Sequence, residues 1–230
     1  MPDVAWRFLH TGSGILARRR LDLTVEGAEH LPRRGPIIIA ARHYHHLYDG
    51  VALMATVPRP LHILVGLDWV RNPAGRAAMT ALCRAAGWPI VLRRDGAHSP
   101  DDADARGALR RATSESLDLL AHGHALLVFP EGYPNVDPGY TPKQGDDDFL
   151  PFQPGFARLA TLAAARGLEV PIVPAGLEYR RGDRWRLTLR FGEPCVVVRR
   201  SDAAGVIAEV EREVQRLSGL THRTAGERAT

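Results

Sequence analysis

The sequence predicts a single α/β domain, a sandwich in which helices flank a mixed, mainly parallel sheet. Short apolar runs rich in Val and Ile alternate along the chain with longer segments whose apolar residues recur at helical spacing. Such an alternation is typical of strands connected by helices. The chain has 230 residues, of which 45% are hydrophobic and 24% charged. That size and composition suit one sizeable core.

The strands are predicted from two kinds of apolar run. Residues 21–27, LDLTVEG, alternate between apolar and polar and predict a half-buried strand. Residues 36–42, PIIIAAR, form a continuous run typical of a strand buried on both faces. Further buried strands are predicted at 61–66, 88–94, 124–130 and 170–178, and an alternating edge strand at 184–192.

Helices are predicted between these strands, at 50–57, 103–123, 155–167 and 201–219. The N-terminal segment 4–20 is apolar with a basic end, and two interpretations stay open. It is an interfacial helix on anionic lipid, or it docks on the domain's own core. Gly12 and Gly14 weaken it as a helix. We therefore expect an N-terminal segment at 1–20, a folded domain at 21–220 and a flexible tail at 221–230.

Composition excludes several classes of protein. Two cysteines without a CxxC pair indicate neither a disulfide framework nor a cysteine-rich metal site. No run approaches the ~18 apolar residues that span a bilayer, and no signal peptide is recognisable, so we expect a cytoplasmic protein. The net charge of +4 suits anionic substrates or an anionic membrane surface. The basic residues form no aromatic-interleaved stripe, so nucleic-acid binding is not expected.

Four short segments contain the residues that are candidates for catalysis or substrate binding. They are RHYHHLYD (42–49), GWPIVLRRDG (87–96), VFPEG (128–132) and VPIVPAGLE (170–178). Each of the first three ends a predicted strand with polar or charged residues. Because ligands of open α/β sheets bind beyond the carboxyl ends of the strands, we expect these residues to meet in one cleft.

The residue types in this cleft suit acyl transfer to an alcohol. A histidine beside an aspartate can take a proton from a hydroxyl, and the carboxylate then stabilises the imidazolium. An arginine at a strand end fits the oxygens of a phosphate or carboxylate. A glutamate followed by glycine can orient a hydroxyl while the glycine permits close approach to the backbone.

The four segments, in this order, resemble the signature of the glycerolipid acyltransferase superfamily, which includes the lysophosphatidic acid acyltransferases. That signature is a His and an Asp separated by four residues, a strand ending in Arg, Phe-Pro-Glu-Gly and a Val-Pro-Ile-Val-Pro-type strand. FQPGFARLA (152–160) also resembles the family's Phe-Lys-x-Gly segment. The resemblance spans residues 21–195 and implies a fold like that of glycerol-3-phosphate acyltransferase.

The resemblance implies a role for each matching residue. His43 would be the general base and Asp49 would orient it. Arg93 or Arg94 would bind a phosphate of the acceptor, and Glu131 with Gly132 would help to bind the acceptor.

The resemblance also implies the substrates and the place of action. The donor would be acyl-CoA or an acyl-carrier protein, and the acceptor a lysophospholipid such as 1-acylglycerol 3-phosphate. The protein would act in phospholipid biosynthesis, peripherally on the inner face of the cell membrane, without a metal or prosthetic group. The Arg-rich composition is compatible with a GC-rich bacterial source.

The sequence departs from the family pattern in two places. Five residues, not four, separate His43 from Asp49. His45 is the rival base because it lies four positions before Asp49 and would share its face on a regular helix. After Glu131-Gly132, Tyr-Pro replaces the usual Thr-Arg or Ser-Arg. The anion clamp would then rest on Arg93 and Arg94 alone, or the acceptor would carry no phosphate.

Two other function classes remain open. A metal-dependent hydrolase would use His43, His45, His46 and Asp49 as ligands, but such a site needs further ligands at later strand ends. A non-catalytic lipid-binding module would bind lipid whether or not His43 is present.

Overall fold

A computed structural model describes residues 2–67, 70, 72–91, 102–198 and 201–220. The described helices are α1 (Pro2–Arg20), α2 (Tyr48–Thr56), α3 (Pro73–Ala86), α4 (Asp102–Ala121), α5 (Gly155–Ala165) and α6 (Ala203–Leu217). The strands are β1 (Leu21–Glu26), β2 (Ile37–Ala41), β3 (Leu61–Ile63), β4 (Val65–Gly66), β5 (Ile90–Val91), β6 (Ala125–Val128), β7 (Val170–Arg180), β8 (Trp185–Phe191) and β9 (Cys195–Val197). The predicted tail at 221–230 lies outside the described residues.

One large sheet organises the domain, with strand order β1-β8-β7-β2-β6-β3. The strand pairs β1/β8, β2/β6, β2/β7 and β3/β6 are parallel. β8 and β9 both pair with β7 in the antiparallel direction. The sheet is therefore mixed and mainly parallel, which confirms the predicted fold class.

Apolar side chains cover both faces of this sheet. Along β2, Ile37, Ile39 and Ala41 belong to the core beneath α1 and α2. The alternate residues Ile38 and Ala40 belong to the core formed with α5 and α6. Because successive side chains of a strand point to opposite faces, an unbroken apolar run is what this double burial requires.

A second, two-stranded parallel sheet, β4 with β5, packs with α3 around the buried thiol of Cys83. The sequence analysis predicted one strand over 61–66, whereas the chain pairs with β6 up to Ile63 and then with β5 from Val65. Helix α3 was not predicted. Its caps were nonetheless visible: the Asn72 side chain accepts from the Ala74 N–H, Pro73 opens the helix, and Gly87 ends it with a positive φ.

Helix α1 forms although it contains Gly12 and Gly14, because it is docked on the domain. Trp6, Leu9 and Leu16 pack against the core, and Nδ1 of His10 lies 2.8 Å from the backbone oxygen of Met54 in α2. Tertiary packing here outweighs the low helix propensity of glycine.

Of the three strand ends predicted to meet in one cleft, those of β2 and β6 lie at one edge of the large sheet, whereas β5, the strand of the remaining segment, belongs to the separate two-stranded sheet. β2 and β6 run parallel, so the residues after Ala41 and after Val128 leave the sheet at the same edge. β7 is parallel to β2 and pairs Ala175 with Ala41, and it then continues to Arg180. β7 therefore extends past the end of β2 and flanks the segment that follows Ala41.

Among the described residues, no helix is both long enough and apolar enough to cross a membrane.

Gly176 of β7 offers a test of how closely α6 packs on the sheet. A Cβ at this position would overlap the backbone carbon of Leu217 and lie 2.6 Å from the Ser218 nitrogen. We expect Gly176→Ala to lower the free energy of unfolding by about 1–3 kcal/mol, because the end of α6 must move. Urea unfolding of purified protein measures this change.

Gly12→Ala is the matched control, because a Cβ at Gly12 meets no atom within 4 Å. That change removes a helix-interior glycine and is expected to stabilise the protein by roughly 0.5–1 kcal/mol. Equal effects of the two substitutions would contradict the packing described for Gly176.

Candidate active site

The turn between β2 and α2 brings His43 and Asp49 together. Nδ1 of His43 lies 2.9 Å from Oδ2 of Asp49. The His43 ring stacks on Phe129, the residue that follows β6, with a centroid distance of 4.3 Å. The side chain is 15% exposed, whereas that of Asp49 is 1% exposed. With Nδ1 turned to the carboxylate, Nε2 is the ring nitrogen left for another partner.

The Asp49 carboxylate also holds the turn itself. Oδ2 accepts hydrogen bonds from the backbone N–H groups of Tyr44, at 2.6 Å, and His45, at 2.9 Å. Oδ1 accepts from the hydroxyl of Tyr179, at 2.7 Å. Asp49 lies in the first turn of α2, where the helix dipole favours a negative charge.

His45 has a different set of partners. Its Nδ1 accepts from the backbone N–H groups of Leu47, at 3.2 Å, and Tyr48, at 3.3 Å. The ring is therefore protonated on Nε2. Its Nδ1 is the acceptor for two backbone N–H groups at the start of α2, which have no partner within the helix. The helical alignment of His45 with Asp49 does not occur, because α2 begins only at Tyr48.

Glu131 and Lys143 form a buried ion pair behind His43, with Nζ 2.6 Å from Oε2 and both side chains fully buried. Oε1 of Glu131 accepts from the backbone N–H of His43 at 2.8 Å. Nζ of Lys143 donates to the backbone oxygen of His43 at 2.7 Å. Burial lowers the pKa of Lys143, and Glu131 acts in the opposite direction. The pair therefore fixes both backbone polar groups of His43.

Glu131 was predicted to help bind the acceptor, and that role stays a prediction; in the structure its carboxylate is bonded to protein donors. Besides His43 and Lys143, it accepts from the backbone N–H of Leu150 at 2.9 Å, and the residue is 2% exposed. A direct contact with a substrate would have to replace these bonds. Gly132 is half-buried and has a φ of 77°, a conformation that glycine adopts without strain.

The long irregular segment after β6 packs onto the turn. Val136 donates its N–H to the Tyr44 oxygen at 2.7 Å, and its own oxygen accepts from the His46 N–H at 3.1 Å. Nζ of Lys143 also donates to Oδ1 of Asn135. The segment is thus tied to the candidate site through backbone bonds and a buried charge.

The three histidines of the cluster face different partners in the structure. Nδ1 of His43 lies beside Asp49, Nδ1 of His45 accepts from the backbone N–H of Leu47, and Nδ1 of His46 lies 3.2 Å from the Val136 oxygen. In the part of the chain that the structure describes, no three His, Cys, Asp or Glu side chains are placed to share a metal ion. The metal-dependent alternative therefore lacks a ligand set there.

Arg93 and Arg94, the predicted anion ligands, lie outside the described residues. Their role stays a prediction.

Comparison with known proteins identifies the family. The model of the acyltransferase family matches residues 22–178, which include the turn, VFPEG and most of β7. The chain belongs to the acyltransferase family.

Among solved structures, the acyltransferase is similar to a 1-acyl-sn-glycerophosphate (LPA) acyltransferase, PlsC, from Thermotoga maritima. The TM-score is 0.66 at 19% sequence identity, and the alignment covers 96% of this chain and 81% of the other. This similarity confirms the fold. A comparison with curated proteins found no match.

A polar cavity of about 250 Å³ lies at the same edge of the acyltransferase sheet as His43. β1 is parallel to β8, β8 is antiparallel to β7, and β7 is parallel to β2. The first residues of β1 and β8 therefore lie at the edge where β2 ends. The cavity is lined by Arg19, Arg20, Tyr48, Gly182, Asp183, Arg184 and Trp185. Three arginines to one aspartate give it a net positive lining.

A larger cavity, of about 610 Å³, is lined by residues of α3, α4 and β5 and by His124. His124 precedes β6, so this cavity opens toward the amino end of that strand, away from the His43 turn.

Sequence reasoning missed two residues of the candidate site, Lys143 and Tyr179. Lys143 lies in the irregular segment and carried no motif. Tyr179 follows the VPIVPAG motif in β7, and its alternation with Val173, Ala175 and Leu177 places it on the α2 side of the sheet. That periodicity is the signal that could have found Tyr179.

The buried ring of His45 predicts a specific dependence of stability on pH. Burial lowers the pKa of His45 to about 4, with His46 adding to the effect. Between pH 6.5 and 4 the unfolded chain binds a proton here that the folded protein does not, so the free energy of unfolding falls as the pH falls. His45→Asn keeps an acceptor for the helix start but does not titrate. From pH 7 to 5, urea unfolding should show that the wild type loses about 1–2 kcal/mol more than this variant.

His62, whose pKa is also lowered by burial, is present in both proteins, so its contribution cancels. Parallel pH dependences of the two proteins would show that His45 is not held neutral.

Proposed function

We propose that this acyltransferase moves a fatty acyl group from an acyl thioester to a hydroxyl of a glycerolipid, with His43 as general base. The observation that carries the proposal is the 2.9 Å contact between Nδ1 of His43 and the buried Asp49 carboxylate. It leaves Nε2 as the nitrogen for the acceptor hydroxyl, at the edge of the sheet where ligands of α/β domains bind. Nδ1 of His45, by contrast, accepts a hydrogen bond from a backbone N–H at the start of α2.

In the proposed reaction, Nε2 takes the proton of the acceptor hydroxyl as the oxygen attacks the thioester carbonyl carbon. The tetrahedral intermediate collapses, the carbon–sulfur bond breaks, and the thiolate leaves with the proton that His43 carries. Asp49 stabilises the imidazolium between these steps. An ester and a free thiol are formed, and the balance requires no metal or prosthetic group.

The nature of the substrates is part of the proposal. The donor is acyl-CoA or an acyl-carrier protein, and the acceptor is a lysophospholipid such as 1-acylglycerol 3-phosphate. The resemblance of the motifs supports this acceptor, as does the similarity in fold to an enzyme named for it. We place the activity in phospholipid biosynthesis.

Two sets of arginines are candidates for binding an anionic group of the acceptor. Arg93 and Arg94 are those that the family resemblance implies. Arg19 and Arg20 line the polar cavity on the His43 edge of the sheet. Either pair would compensate for the basic residue that is missing after Gly132, because guanidinium groups bind phosphate oxygens in a fixed geometry.

We further propose that the protein works peripherally, on the cytoplasmic face of the cell membrane. The apolar residues of α1 divide between two directions: Trp6, Leu9 and Leu16 pack on the core, whereas Val4 and Phe8 are 74% and 80% exposed. The helix ends in Arg18, Arg19 and Arg20. An exposed apolar strip with a basic end suits an anionic lipid surface.

The first test uses radiolabelled long-chain acyl-CoA, and separately acyl-carrier protein, with a panel of acceptors, each with and without chelator. The panel contains lysophosphatidic acid, glycerol 3-phosphate, uncharged lysolipids and glycolipids. We expect transfer that is insensitive to chelator. We expect His43→Ala to lower kcat by about 10²–10⁴-fold, since it removes the general base.

His46→Ala is the control and should retain activity, because the His46 side chain is exposed and its Nδ1 lies beside the Val136 oxygen of the irregular segment, away from the proposed base. Activity that survives in His43→Ala but is lost in His45→Asn would refute the choice of base. Hydrolysis that stops with chelator would indicate the metal-dependent alternative. Lipid binding without transfer would indicate a binding module.

A second experiment identifies the anion ligands. We expect either Arg93→Gln/Arg94→Gln or Arg19→Gln/Arg20→Gln to raise KM for a phosphate-bearing acceptor about 10–100-fold, as loss of charged hydrogen bonds implies. Neither pair should change KM for a phosphate-free acceptor. Steady-state kinetics with both acceptors gives the answer.

Arg33→Gln/Arg34→Gln is the matched control, since these exposed arginines precede β2 and lie at the opposite edge of the sheet. If all three double variants raise KM equally, general charge and not a phosphate site explains the effect.

A further inference from the structure

Tyr179 contacts the one oxygen of Asp49 that does not face His43. Oδ2 of Asp49 contacts Nδ1 of His43 and accepts hydrogen bonds from two backbone N–H groups. Oδ1 accepts a hydrogen bond from the Tyr179 hydroxyl at 2.7 Å. Asp49 is 1% exposed, so water has little access to Oδ1. A buried carboxylate oxygen without a donor is costly, and Tyr179 removes that cost.

The fold holds this hydroxyl in place from several sides. β7 extends past the end of β2, which brings Tyr179 alongside the turn. Its ring stacks on Tyr44 at 4.5 Å and meets the edge of Trp185 at 5.8 Å. Burial raises the pKa of Tyr179 well above its ordinary value, and the negative charge of Asp49 adds to this rise. The phenol therefore stays protonated and acts as a donor.

We propose that Tyr179 is a positioning residue for acyl transfer, acting through Asp49. Its hydroxyl prevents the carboxylate from rotating, so that Oδ2 stays directed at Nδ1 of His43. The inference rests on the proposed role of His43 as base. Tyr179 does not touch the reacting atoms, because Asp49 lies between its hydroxyl and the histidine ring.

The hydrogen bond also sets how strongly Asp49 attracts a proton on His43. A donated hydrogen bond draws negative charge from the carboxylate toward Oδ1. Without it the charge concentrates on Oδ2, and the imidazole holds its proton more tightly. Among the described residues, the titratable and charged groups around His43 and Asp49 include Arg42, Tyr44 and His45 of the turn, Glu131 and Lys143 behind it, and Tyr179 itself. Of these, only Tyr179 is changed in the experiment.

The experiment compares Tyr179→Phe with the wild type in the acyl-transfer assay. The change removes one oxygen and keeps the stacked ring. We expect kcat to fall about 10–100-fold, as for loss of a hydrogen bond to a charged group, with KM for the acceptor within about twofold. The acid limb of the pH profile of kcat/KM should move to higher pH. Tyr140→Phe, a Tyr→Phe change at a 62% exposed side chain, is the control and should match the wild type.

A double-mutant cycle separates positioning from a general structural effect. In an Asp49→Asn background, Tyr179→Phe should lower the residual kcat by less than about twofold, because the carboxylate it positions is gone. Additive losses with an unmoved acid limb would overturn the inference. If Tyr179→Phe unfolds at 25 °C, it is assayed at lower temperature in trimethylamine N-oxide, which favours the compact state.

The outcomes distinguish this inference from the proposed function. If His43→Ala keeps full activity, the proposed base fails, and Tyr179 has no base to position. If His43→Ala is inactive but Tyr179→Phe has the wild-type kcat and pH profile, only the role of Tyr179 is refuted.

Discussion

The buried ion pair of Glu131 and Lys143 is the interaction on which the candidate site depends. Its two side chains hold the backbone N–H and the backbone oxygen of His43, and both charges are fully buried. Losing one partner of such a pair costs about 3–5 kcal/mol, since an uncompensated charge remains inside the protein. The pair also joins β6, the irregular segment and the β2–α2 turn. The orientation of His43 is thus coupled to the folding of residues about a hundred positions away.

Asp49 supplies the second constraint, and it explains the unusual spacing. With five residues between His43 and Asp49, a continuous helix would not place the two side chains together. The chain instead leaves β2, wraps around the carboxylate through two backbone N–H bonds, and starts α2 only at Tyr48. The extra residue is absorbed in this turn. The Nδ1 atom of His45 accepts from backbone N–H groups at the start of α2, so His45, which has the better helical spacing, does not direct that nitrogen at Asp49.

Sequence reasoning found what depends on local pattern and missed what depends on distant contacts. The continuous apolar run PIIIAAR predicted a strand that is buried on both faces, because side chains alternate between the two faces and the apolar run makes both of them apolar. The motifs after β2 and β6 predicted a common edge, since parallel strands end together. The contacts of Lys143 with His43 and of Tyr179 with Asp49 join residues 100 and 130 positions apart; the alternation in β7 gives the face of Tyr179, but no local pattern gives its partner or that of Lys143. The sequence also does not reveal that protein donors enclose the Glu131 carboxylate.

This enclosure changes how the signature Phe-Pro-Glu-Gly should be interpreted in this chain. Both oxygens of the Glu131 carboxylate are occupied by protein donors, and the Lys143 ammonium donates to two oxygens besides that carboxylate. Neither charge is available to a substrate without dismantling the support of His43. In the proposed function, cations that the turn does not use are therefore the candidates for binding an anionic acceptor. The arginine pairs at 93–94 and 19–20 are the candidates proposed for that role, so the residues that hold the proposed base differ from those proposed to select its substrate.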